Sequence, residues 1–228
     1  MDEIIAIPDI HGRTFWKQVK NNPINNTIVF LGDYLDPYPQ ENISFEEALV
    51  NFEEIIDFAN NQENVILLIG NHDWPYYFNT GNLGWSRYNY KFASEVHTLF
   101  KENYSLFRIA YQIDNTLFTH AGVDIDWYEK YNMGQKGVVA DQLQAILSFN
   151  ADAFKIVSYS RGGRYPFGSP IWSDFTDFEF IEKPSALKVR QIVGHTLGSN
   201  LRINTRQNIY CLDCKCIFKV TQDNVIKY

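Results

Sequence analysis

The sequence predicts an α/β chain in which parallel βα units come first and a second, partly antiparallel sheet, built from later strands, stacks on them. Three observations carry this. Short apolar runs, Ile4-Ile5-Ala6-Ile7, Thr27 to Leu31 and Val65 to Ile69, alternate with helical stretches, as in a βαβ sheet whose strands all present their carboxyl ends on one edge. Each run stops at a proline or glycine and delivers a polar turn. The tail, Leu201 to Tyr228, reads as two or three short strands around the turn Gln222-Asp223-Asn224.

The elements follow in order. Ile4 to Ile7 is a buried strand closed by Pro8, and a helix covers Arg13 to Lys20, ended by Asn21-Asn22-Pro23. The best helix signal is Phe45, Ala48, Leu49, Phe52, Ile55, Ile56 and Ala59 on one face, with Ser44 and Glu47 as a capping box. Trp74 to Phe92 is crowded with aromatic residues without a clear period. It reads as a loop or lid, either packed down as a satellite cluster or forming a cleft wall.

Ser94 to Asn103 is a helix carrying His97, a histidine with a structural or surface role. Leu106 to Ile113 and Thr116 to Thr119 flank Asp114-Asn115 as a hairpin. Gln135 to Val157 is mostly helical, and Arg190 to Val193 is a strand ending at Gly194-His195.

At 228 residues the chain suits one domain, 1–228, with enough length for a sizeable core. A hydrophobic content of 45% with 16% aromatic residues excludes a disordered chain. The net charge of −7 opposes nonspecific adhesion to nucleic acid or anionic membrane. No apolar run approaches the ~20 residues that span a bilayer. The start Met1-Asp2-Glu3 lacks the basic character of a signal peptide, so the expected compartment is the cytoplasm. Cys211, Cys214 and Cys216 lie close together, but their odd number and the strand character of Ile209 to Val220 favour core thiols over a zinc site.

The chemistry gathers at strand ends. Asp9 and His11 follow the first strand, Asp33 and Asp36 the second, Asn71, His72 and Asp73 the third, His120 and His195 two later ones. Ligands of open α/β sheets sit at such ends. Carboxylate, imidazole and amide oxygen together suit divalent or trivalent transition metals, Mn, Fe or Zn. So many donors exceed one ion, and two ions ~3.5–4 Å apart need a shared carboxylate, for which Asp33 is the natural bridge.

Asp9-Ile10-His11-Gly12, Gly32-Asp33-Tyr34-Leu35-Asp36, Gly70-Asn71-His72-Asp73, His120-Ala121-Gly122 and Gly194-His195 together resemble the ordered motifs of calcineurin-like metallophosphoesterases. Within them they resemble the phosphoprotein phosphatase branch, which includes Ser/Thr phosphatases and symmetrical bis(5′-nucleosyl)tetraphosphatases. The resemblance implies a four-layer fold, a sandwich of two mixed β-sheets flanked by helices. It implies that Asp9 and His11 bind a first metal, Asp33 bridges, and Asn71, His120 and His195 bind a second, manganese foremost, with iron or zinc as alternatives. It makes His72 the general acid, Asp36 the group that orients it, and Asp73 a support for the turn. A metal-activated hydroxide then attacks phosphorus directly, with no phosphoenzyme.

The chain departs from the family where an arginine usually grips the phosphate, because Pro37-Tyr38 follow Asp36. The Gly-flanked pair Arg161 and Arg164 is the expected substitute, with Arg87 next. Leu197 stands where many phosphodiesterases of the superfamily carry a second histidine, and Trp172-Ser173-Asp174 resembles a tract preceding the last histidine of the phosphatase branch. The expected function is therefore phosphomonoester hydrolysis on a phosphoprotein or small phosphoester. A dinucleoside polyphosphate hydrolase is the alternative. A phosphodiesterase acting on nucleic acid and a binding module without metals rank lower.

Overall fold

A computed structural model describes residues 3–20, 26–84, 87–132, 134, 136–181 and 187–228. They fall into two compact units, Asp2–Phe107 with Lys215–Tyr228, and Arg108–Cys214. Each unit carries one mixed sheet with helices, as expected for the fold class. Among the described residues no helix is long and apolar enough to cross a membrane.

In the first unit, β1 (Ile4–Ile7), β2 (Thr27–Phe30) and β3 (Val65–Leu68) pair side by side in parallel, Ile7 opposite Phe30 and Phe30 opposite Leu67. That register sets Pro8-Asp9, Gly32-Asp33 and Gly70-Asn71 just beyond the same edge. The strands are almost wholly buried, which is why they read as continuous apolar runs rather than alternating ones. The chain returns late to complete the sheet. β10 (Phe218–Val220) runs antiparallel to β1, and β11 (Val225–Lys227) antiparallel to β10. The strand expected from Ile209 to Val220 is thus two strands in two different sheets, and the tail holds four strands rather than two or three.

Helix α2 (Phe45–Asn60) starts at the predicted capping box, Ser44 Oγ accepting from Glu47 N and Glu47 from Ser44 N. Its buried face holds Phe52 and Ile55, and the buried Asn51 accepts from Trp16 Nε1 at 3.0 Å. α1 is shorter than expected, Lys17–Lys20, because Arg13 turns back to Ile10 O and its side chain is drawn to other partners. Its predicted stop at Asn21-Asn22-Pro23 lies outside the described residues, as do Met1-Asp2, Trp85 and Gln135.

The aromatic stretch is not loop throughout. It opens with α3 (Trp74–Tyr77), all of whose residues are buried. Phe92 stacks on Phe45 at 5.1 Å and Tyr77 on Tyr104 at 5.0 Å, so aromatic pairing packs it against α2 and the turn after α4 (Ala93–Glu102).

In the second unit the strand order is β5 (Ala110–Ile113), β6 (Thr116–Thr119), β7 (Arg190–Val193), β9 (Ile209–Cys211), β8 (Arg202–Asn204). The β5–β6 hairpin turns at Asp114, φ 49°, as Asp-Asn predicts. The run from Leu106 is broken: β4 (Phe107–Arg108) belongs to the first sheet, and β5 starts afresh after Ile109. β6, β7 and β9 are parallel, so His120 and His195 follow adjacent strand ends. Helices α5 (Ile125–Tyr131), α6 (Val139–Phe149) and α7 (Phe175–Glu179) complete the unit, and the stretch expected as one helix to Val157 gives way to a 3-10 turn at Ala151–Lys155.

Candidate metal centre

In the first unit the loops after β1 and β2 are tied to each other by their own backbones, and a side chain ties in the loop after β3. Ile10 and His11 N–H groups donate to Asp33 O at 3.1 and 2.7 Å, and Gly12 N–H to Tyr34 O at 3.0 Å. Asp73 then gathers the other two: its carboxylate accepts from Gly70 N at 2.8 Å, Asp33 N at 2.7 Å and Tyr34 N at 3.0 Å. This is the turn support assigned to it from sequence. Burial lifts the Asp73 carboxyl to about 7, even against these three donors.

Glycine is required where the loops touch. A Cβ on Gly70 would run into the Asp33 carboxylate, and one on Gly32, at φ +105°, would lie 2.5 Å from Gly70 N. Three site residues pay a backbone strain of their own, His11 at φ 43°, Asp33 at 54° and Asp36 at 56°. Such left-handed residues persist only where surrounding bonds over-determine them.

The side chains converge. His11 Nε2 lies 3.5 Å from Asp33 Oδ2, and His11, Asp33 and His72 each bring a ligand atom within 4.8 Å of the other two. All three are buried, as are Asp9, Asp36 and Asn71. His11 Nδ1 meets the Leu35 carbonyl at 2.9 Å; a carbonyl only accepts, so Nδ1 carries the hydrogen and Nε2 has the lone pair a metal needs. Burial, and next His72, lower the His11 pKa, while burial, and next Asp9 and Asp73, raise that of Asp33. A cation among these groups would offset the penalty on the Asp33 carboxylate and suits a His11 that burial keeps neutral, and the nitrogen and oxygen donors fit a transition metal of intermediate softness.

His72 is tethered at both its ring and its backbone. Its Nδ1 lies 3.0 Å from Asp36 Oδ2, and its N–H donates to Asp33 Oδ1 at 2.9 Å. The other Asp36 oxygen accepts from Tyr76 OH at 2.7 Å. Sequence reasoning missed Tyr76, because the contact joins residues far apart and the aromatic stretch shows no period. His97 has the structural role expected, with Nδ1 2.9 Å from Tyr76 O.

In the second unit His120 Nε2 and His195 Nδ1 approach to 3.1 Å, both rings buried. The Gly194 N–H donates to His120 O at 2.8 Å, joining their strand ends, and His195 is held at φ 67°. Trp172 of the Trp-Ser-Asp tract sets its ring edge-on to His195 at 5.8 Å.

Arg161 is committed to this turn. Its Nε pairs with Asp174 at 2.7 Å, and Nη2 donates to His195 O and Thr196 Oγ1, each at 2.9 Å. The glycines beside it serve the loop's own fold: Gly162 caps the 3-10 turn Tyr159–Arg161 at φ 78°, and a Cβ on Gly163 would collide with the Val157 carbonyl. Arg164 is exposed. Of the cysteines, Cys211 is buried and donates to Gly194 O at 3.2 Å, with its thiol pushed up to about 11 by burial, while Cys214 and Cys216 are half-buried.

A search among curated proteins returned no match. Solved structures share the fold at low identity. A cold-active protein-tyrosine phosphatase of a psychrophilic Shewanella species is 16% identical with a TM-score of 0.62, covering 99% of this chain and 77% of its own. A protein serine/threonine phosphatase from Saccharomyces cerevisiae is 17% identical with a TM-score of 0.55, covering 99% and 78%. A protein provisionally named a diadenosine tetraphosphatase is 15% identical with a TM-score of 0.52, covering 99% and 92%. The family model described as calcineurin-like phosphoesterase matches residues 3–198, through both units and every motif collected above, and the chain belongs to that family.

Proposed function

We propose that the protein is a phosphatase that hydrolyses phosphomonoesters, of the Ser/Thr protein phosphatase kind, with both units making up one catalytic domain. Membership of a family of metal-dependent phosphoesterases supports the broad reaction. The observation that carries the reading is the buried His11, Asp33 and His72 group with Asp36 behind His72. In this reading Asp9, His11 and Asp33 would hold one ion, and Asp33, Asn71, His120 and His195 would supply the ligands of the other. Manganese is the first candidate, and iron or zinc the next. Two such ions bring the pKa of a water toward neutrality and screen the phosphoryl charge.

The rest falls to the chain. Asp36 fixes the ring through Nδ1, which leaves Nε2 as the atom that would give a proton to a departing alkoxide. No serine or cysteine belongs to the motif set, so water is the nucleophile. Leu197 in place of a second histidine favours monoesters over diesters. The fold shared with a tetraphosphatase keeps symmetrical dinucleoside polyphosphates as the second reading.

Metal content of protein purified without chelator is the first test, with two equivalents expected and none fatal to the reading. Hydrolysis of p-nitrophenyl phosphate over its bis ester, then a phosphopeptide against diadenosine tetraphosphate, sorts the substrate class. His72→Asn should slow alkyl phosphates by roughly 10²-fold or more, aryl phosphates much less, and spare metal. Loss of metal in that variant would make His72 a ligand instead.

A further inference from the structure

With Pro37-Tyr38 after Asp36, the phosphate lacks the guanidinium that phosphoryl transfer ordinarily uses to meet charge on oxygens the metals do not reach. Two other arginines are engaged. Arg13 forks onto Glu41 at 2.7 and 3.0 Å and gives Nη1 to Asp9 O at 3.1 Å, and Arg161 is held by Asp174 and the His195 turn.

Arg87 is placed differently. Its Nε and Nη2 both donate to one atom, the Asp36 carbonyl oxygen, at 3.1 and 2.7 Å. Nη2 also lies 3.5 Å from His11 Nδ1, and the guanidinium covers the Tyr38 ring with Cζ 3.9 Å from its centroid. The contacts run through Nε and Nη2, which leaves Nη1 as the end of the fork that a ligand would meet. The placement is built in. Asn89 N–H donates to Tyr76 OH at 2.7 Å, the same hydroxyl that donates to Asp36, and Tyr88 stacks on Tyr76 at 4.6 Å. Residues 87–89 are thereby clipped to the carboxylate that orients His72.

We propose that Arg87 is the phosphate-binding cation of this site, delivered by the aromatic stretch 74–92 and steadied on the Tyr38 ring. Arg161 and Arg164, the residues favoured by their glycine setting, do not fill that role. The proposal rests on the phosphatase reading for its chemistry, but phosphate binding tests it without turnover.

The experiment titrates inorganic phosphate into manganese-loaded, full-length wild type, Arg87→Ala and Arg87→Gln, with metal content measured on each, followed by kinetics on an aryl and an alkyl phosphate. The expected result is phosphate affinity weakened at least about tenfold, the size of one charge-assisted hydrogen bond, with metal unchanged. The kcat/KM should fall roughly 10²-fold for both esters alike. Arg87→Gln keeps a donor for the Asp36 carbonyl without the charge, and decides the matter if the alanine variant does not fold. Unchanged phosphate affinity overturns the assignment. So does a loss confined to alkyl esters, which would mean that Arg87 acts only through Asp36 and His72, and so does a wild type that binds no phosphate. A wild type that binds phosphate through Arg87 yet hydrolyses no ester would sink the phosphatase reading and leave the assignment standing.

Discussion

The two units brace their candidate metal donors with opposite chemistry. In the first, both donors and supports include buried acids: Asp73 gathers three N–H groups, and Asp36 holds His72 and Tyr76. In the second, the expected donors are the imidazoles of His120 and His195, steadied through backbone carbonyls by Arg161 and Cys211. A buried acid stabilises only while its hydrogen bonds outweigh its desolvation, whereas a neutral imidazole costs far less to bury. The first unit therefore depends more heavily on its polar network than the second.

Asp73→Ala breaks that comparison hardest. It strands three buried N–H groups, and should cost about 3 kcal/mol or more in urea unfolding, with hydrogen exchange rising first at Gly70, Asp33 and Tyr34. A loss under about 1 kcal/mol would mean the loops hold without it.

The corresponding change in the second unit, Arg161→Ala, removes an ion pair and two carbonyl or hydroxyl contacts at the His195 turn. The expected loss is about 2 kcal/mol, with weaker metal retention and unaltered phosphate affinity. Phosphate affinity falling as in Arg87→Ala would return the clamp to the Gly-rich loop.

An effect confined to one range of pH sharpens the point about buried acids. Asp124 caps α5 by accepting from Asp126 N at 2.8 Å, yet burial lifts its carboxyl to about 6. Because its folded pKa lies above the unfolded value, the native state takes up the proton first, so stability rises as pH falls through 6 toward 4. Asp124→Asn should remove that slope and be roughly 3 kcal/mol more stable than wild type at pH 8, with the gap closing below about pH 4. Equal stabilities at both pH values would show that the carboxylate is not penalised.

Much of this was legible in the chain. β1 and β7 occupy the predicted residues, and α2 begins at the predicted capping box. These elements have local causes: a continuous apolar run closed by Pro8, a short strand stopped by Gly194, and a helical face with a cap. The donors were legible for a related reason, since the parallel pairing of β1, β2 and β3 turns three separate polar turns into neighbours at one edge.

What sequence alone left undecided depends on contacts between distant residues. Arg161 and Arg87 both looked available, and only side-chain placement distinguishes them: Asp174 and the His195 turn occupy one, while the Tyr38 ring and a shared carbonyl steady the other. Ile209 to Val220 read as one strand because its residues are apolar nearly throughout, whereas backbone pairing sends its two ends to different sheets. Tyr76 carried no signal at all until Asp36 came within 2.7 Å of its hydroxyl. Local pattern determined the elements and their polar turns, because propensity and periodicity act over a few residues. Which arginine stays open and which hydroxyl steadies the acid were decided by tertiary packing, because hydrogen bonds and stacking depend on distances that no sequence spacing encodes.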